Sequence, residues 1–189
     1  MTTQGKSWTT ASFIAVSLFC TLAATPASAA TVYTGTVGHP EVASQLASFK
    51  QTAFALRDQA DELRSVTANR QMHWRTHSVH LETLRQHVNE LGEMLVSLEN
   101  LQHRANPAQR TAIEQARPHL AAAAAGLKQS ISLIAEHRNS VYWSSYAESI
   151  NTISVYATAL HESMDAILDY ENARTRLHQL ELLTPIEGS

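Results

Sequence analysis

Residues 74–98 read WRTHSVHLETLRQHVNELGEMLVSL, and their apolar positions decide the fold. Trp74, His77, Leu81, Leu84, Val88, Leu91, Leu95 and Leu98 follow one another in steps of three and four. That rhythm belongs to a long α-helix with one face packed on other helices. Three more segments carry it. The first is Val42, Leu46, Phe49, Ala53, Leu56, Ala60 and Leu63, opened by Pro40, a residue suited to the first turn. It decays at Thr67-Ala68-Asn69. The second is Ile113, Leu120, Leu127, Ile131 and Ile134, preceded by Asn106-Pro107, an N-cap followed by a first-turn proline. The third is Tyr146, Ile150, Ile153, Ala157, Leu160, Met164 and Ile167, running on to about Leu182 before Pro185.

The breaks at Asn69, near Arg104–Asn106 and at Asn139-Ser140 leave loops of a few residues, so neighbouring helices must be antiparallel. The expected fold is all-α: an up-down-up-down four-helix bundle over residues 40–184, with a tail at 185–189. Helices of roughly 27 to 40 residues would be about 40 to 60 Å long. Pro118 falls inside the third and is expected to kink it near Glu114. The Ala121–Ala125 run is the thin part of that helix. Its expected height matches His87, Phe49 and Phe54, so large side chains either fill the space or leave a groove.

Residues 1–29 have the layout of a cleaved signal peptide. Lys6 supplies the positive start, Phe13 to Ala24 a short apolar run, and Ala27-Ser28-Ala29 a small-x-small cleavage site. Residues 30–39, rich in Thr and Gly, read as a flexible leader. The remaining chain is expected in the periplasm or secreted, with no membrane span after cleavage. Cys20 leaves with the leader, so no disulfide, thiolate metal site or covalent haem can form. Loss of Lys6 leaves 13 basic residues against 17 acidic ones, a net charge of −4. With no basic stripe, nucleic acid is not expected as a partner.

The chemistry-bearing residues cluster at one pole. His73, His77 and His80 stand at i, i+4 and i+7, one face of a helix. With a carboxylate such as Glu148 they form a candidate zinc, copper or nickel site. Against this, Glu-x-x-His pairs are missing, and only His77 lies squarely in the core stripe. A buried His77 hydrogen-bonded to Tyr146 or Glu148 explains the same residue, and acid sensing is a third reading. Trp74, Tyr142, Trp143 and Tyr146 gather nearby, as a cap over the core or as a binding surface. There is no nucleophile elbow and no Gly-rich phosphate loop, so no enzyme is expected. Non-covalent haem is not supported, since Met72 and Met164 do not pair in height with His161 or His39.

The segment Trp74-x-x-His77, with His87-Val88-Asn89-Glu90-Leu91-Gly92, Asn139 and Tyr146, resembles a pattern in exported bacterial helical-bundle proteins. The resemblance implies a bundle fold and an envelope location, and it carries over no activity. The LTxxQ-type repeats of periplasmic stress chaperones are missing. The expected function is binding or scaffolding in the cell envelope, toward a protein or small molecule; the alternative is a histidine-based metal-binding bundle.

Overall fold

The computed structural model describes residues 39–69 and 72–183. The expected signal peptide at 1–29, the leader up to residue 38 and the tail from 185 lie outside the described residues. Four helices follow in order: α1 Pro40–Ala68, α2 Trp74–Asn100, α3 Pro107–Glu136 and α4 Ser144–Leu183. Each packs on its neighbours around a ring, and α1 closes on α4, so the chain is an antiparallel four-helix bundle. Among the described residues no helix is long and apolar enough to cross a membrane.

The helices begin where local chemistry favours it. Pro40 opens α1 and Pro107 opens α3, each filling a position whose N–H has no partner in a helix. Asn106 caps α3 by accepting from Gln109 N at 2.8 Å, and the Gln109 side chain accepts from Asn106 N at 3.1 Å. This reciprocal pair satisfies two donors that the first turn would otherwise strand. α2 stops at Asn100 rather than near Arg104, and Gln102–Arg104 complete the corner as a 3-10 turn. A second 3-10 turn, Arg138–Tyr142, joins α3 to α4 and buries Ser140 and Val141.

α3 runs as one helix through Pro118. Pro118 and Glu114 are both exposed, so the carbonyl that loses its donor faces water.

The core follows the seams. Leu46, Phe49, Leu56, Leu63, Leu84, Leu91, Leu98, Ile150, Ile153 and Leu160 are at most 1% exposed. Each such side chain contributes about 1.5 to 3 kcal/mol through burial.

α3 departs from the expected seam at one position. Ile113, Leu120, Leu127 and Ile134 are buried as expected, but Ile131 is 37% exposed, and the core face adds Ala112, Ala116, Ala123, Gly126 and Ser130. These small residues let α3 and α4 approach closely. A Cβ at Gly126 would stand 3.0 Å from the Ser149 carbonyl and 3.1 Å from Ile153. Ser130 and Ser149 meet across the same contact at 2.7 Å. Of the alanine run only Ala123 is buried, against this tight interface. Phe49 is buried in the core, but Phe54 is not: it is 45% exposed, under the Arg57 guanidinium at 4.5 Å and edge-on to His161 at 5.4 Å.

Candidate functional site

A groove runs along the seam between α2 and α3. His73 caps α2, its Nδ1 accepting from Arg75 N at 3.2 Å, which sets Trp74 at the first helical position. The turn after α3 brings Arg138 over the Trp74 ring at 4.8 Å, and Arg75 approaches the ring at 5.5 Å. A guanidinium over an indole is a favourable, partly desolvated contact. Trp74, Ser78, Leu81, Arg85, Ile131 and Arg138 line a groove of about 460 Å³ between the helices. Arg85 is held at its edge by a two-pronged pair with Glu82, at 2.6 and 2.8 Å.

The groove continues along the same seam. A shallow hollow of about 270 Å³ lies between Val88 on α2 and Ala124 and Lys128 on α3. Gly92 and Val96 extend the exposed α2 surface further. The two edges repeat in steps of three and four: Trp74, Ser78, Leu81, Arg85, Val88 and Gly92 on one side, and Ala124, Lys128, Ile131, Ala135 and Arg138 on the other. Each wall is thus one face of its helix.

Behind the groove stands a buried polar pair. His77 is 2% exposed and its Nδ1 lies 3.2 Å from the Tyr146 hydroxyl, with the two rings edge to face at 5.5 Å. Burial pushes the His77 imidazole below its ordinary value, and the neighbouring His80 adds to the shift. Burial also pushes the Tyr146 hydroxyl well above its ordinary value. The pair is therefore neutral at pH 7, and which partner donates depends on the imidazole tautomer.

The three histidines do not turn toward one point. His73 is spent on the helix cap, His77 faces α4, and His80 faces α1, where Gln59 Nε2 donates to its Nδ1 at 2.8 Å. Glu148 is exposed on α4, two residues from Tyr146 and so on the far side of that helix from His77. Among the described residues no group of three or more His, Cys, Asp or Glu side chains is placed to hold a metal ion.

The aromatic set also divides. Tyr146 is fully buried and offers no surface, because its ring fills the core and its hydroxyl is used by His77. Tyr142 is 54% exposed and donates to the Met72 carbonyl at 3.4 Å. Trp143 is 43% exposed and tilts over His137 at 5.3 Å. Trp74, half-buried, is the one of the four that lines the groove.

Sequence reasoning missed Arg138, Ile131, Ser78 and Arg85. The available signal was a second stripe on α2 that shares Trp74, Leu81 and Val88 with the core seam but passes through Ser78 and Arg85. No protein-family model, curated protein or solved structure matches the chain.

Proposed function

We propose that this is an exported, non-enzymatic helical bundle that works by binding, and that the α2–α3 groove receives an amphipathic helical segment of a partner protein. The observation that supports the reading is the groove itself: an apolar floor with heptad-spaced walls, closed at one end by the Trp74–Arg138 stack. Trp and Arg are the side chains that most often carry binding energy when a partner covers them. Arg138 and Lys128 sit on one wall, so the segment that fits places acidic residues beside its apolar stripe. Export rests on the leader pattern of residues 1–29.

The test is a photo-crosslinking residue placed at Ser78, in the groove, and at Ser48, exposed on α1, in cells that export the protein. A specific adduct is expected at Ser78 only. Replacing Trp74 and Arg138 by alanine should remove it while the circular dichroism spectrum stays unchanged. Equal labelling at Ser48, or an adduct that survives both substitutions, would overturn the proposal.

A further inference from the structure

α4 outlasts the rest of the bundle. It is 40 residues long, against 29, 27 and 30 for α1, α2 and α3. Two cross-bundle contacts mark where its neighbours begin. Asn106, the cap of α3, donates to Glu171 Oε2 at 2.7 Å, so α3 starts level with Glu171. Lys50 of α1 pairs with Asp165. At equal rise along antiparallel helices, Pro40 then lies level with roughly residue 175. The remainder of α4, to Leu183, extends past both.

The pattern of α4 changes as the helix nears and passes that level. The core seam from Tyr146 to Ile167 continues, by the same steps, through Glu171, Arg174, His178 and Glu181, all polar. The apolar residues move to another face: Ala166, Tyr170, Ala173, Leu177 and Leu180, in steps of four, three, four and three. At about 100° per residue this stripe is turned more than 90° from the core-facing seam. Tyr170, Leu177 and Leu180 are 59%, 62% and 60% exposed.

Such a stripe is a coiled-coil seam, and its flanking charges say what it fits. With Tyr170 and Leu177 at a positions, and Ala173 and Leu180 at d positions, Asp169 and Arg176 occupy g, and Arg174 and Glu181 occupy e. In a parallel pair of identical helices each g residue faces the e residue five positions on in the other chain. Asp169 then meets Arg174 of the second copy, and Arg176 meets its Glu181; two-fold symmetry repeats both contacts. In an antiparallel pair centred on the stripe, Arg174 faces Arg174 and Arg176 faces Arg176. An antiparallel register moved one heptad along to relieve this leaves Tyr170 and Ala173 without apolar partners. Within its own helix Arg174 reaches Glu171 only at 3.9 Å, and Glu181 lies 3.8 Å from His178. Pairs of that length are weak competitors. The bundle also nucleates α4, so the tail is presented as a formed helix without the nucleation penalty of an isolated one.

We propose that the projecting end of α4 joins two copies of this chain in a parallel two-stranded coiled coil, with both bundles on the same side of the joint.

The test uses the protein with Cys20→Ser, so that introduced thiols are unique. Leu177→Cys and Leu180→Cys, each oxidised alone, should both give self-linked dimers, whereas Ser48→Cys should not. An antiparallel register cannot bring both positions onto their own copies. In sedimentation velocity, Leu177→Asp should raise the dimer dissociation constant at least tenfold with the melting temperature of the bundle unchanged. Arg176→Glu should weaken the dimer, and adding Glu181→Arg should restore it. A chain monomeric up to millimolar concentration would overturn the proposal. So would a dimer indifferent to Leu177→Asp, or links formed only between Leu177→Cys and Leu180→Cys chains.

Discussion

His77 is neutral and sealed against Tyr146, and this gives the fold an acid-sensitive point. Its folded pKa lies below the ordinary 6.5 because burial penalises the cation, with His80 adding to the effect. Above pH 6.5 both folded and unfolded chains keep this imidazole neutral, and its contribution to stability is complete. As pH falls below that value the unfolded chain takes the proton first. Stability therefore declines as pH drops toward and through the folded pKa. Urea unfolding between pH 7.5 and 5 should show the decline, and His77→Gln should make it shallower. An identical slope in the variant would place the effect on other groups. Tyr146→Phe strands the buried imidazole without its partner and should cost about 1 to 3 kcal/mol at pH 7.

At the scale of helices, the α3–α4 contact is the tightest joint and the least tolerant. Gly126→Ala drives a methyl group against the Ser149 carbonyl, which is backbone and cannot swing aside. A loss of about 1 to 3 kcal/mol is expected from overpacking, read as a lower urea midpoint. A stabilised variant would mean that the helices separate there at no cost. The start of α3 depends on Asn106, which caps the helix and reaches Glu171 of α4. Asn106→Ala should cost about 1 to 2 kcal/mol, and Asn106→Asp no less, since its carboxylate keeps the cap but loses the donor to Glu171 and faces that residue's carboxylate. The histidine face of α2 bears on metal as well. His73, His77 and His80 turn to three different partners. Elemental analysis after dialysis against zinc, copper and nickel should give well under one metal per chain. One metal per chain, lost in His77→Ala, would reassign that face.

For the molecule as a whole, packing is expected to carry the entire stability. The only cysteine is Cys20, inside the expected signal peptide. The purified exported protein should begin at Ala30 and melt at the same temperature with and without reductant. A reductant-dependent shift would show that Cys20 is retained and engaged. Two exposed surfaces of the described residues stand out, the α2–α3 groove and the C-terminal part of α4. The first is read here as a seat for a partner helix and the second as the contact between copies.

Much of this was legible in the residues. Four heptad-spaced stripes, a proline at two helix starts and short breaks between them determined four antiparallel helices, since only one face of each could be buried. The burial of His77 was legible too, because it stands in register with the leucines of its stripe. What periodicity cannot state is which way a side chain at the edge of a stripe turns. His73, His77 and His80 share a spacing that suits one metal ion, yet capping, the core and α1 draw them to three different partners. Ile131 has the spacing of a core residue and lines a groove instead, because α3 meets α4 through small residues and leaves its seam with α2 open. The Trp74–Arg138 stack joins residues 64 positions apart in the chain. Such a contact depends on how helices approach and rotate about one another, and only the tertiary structure decides that.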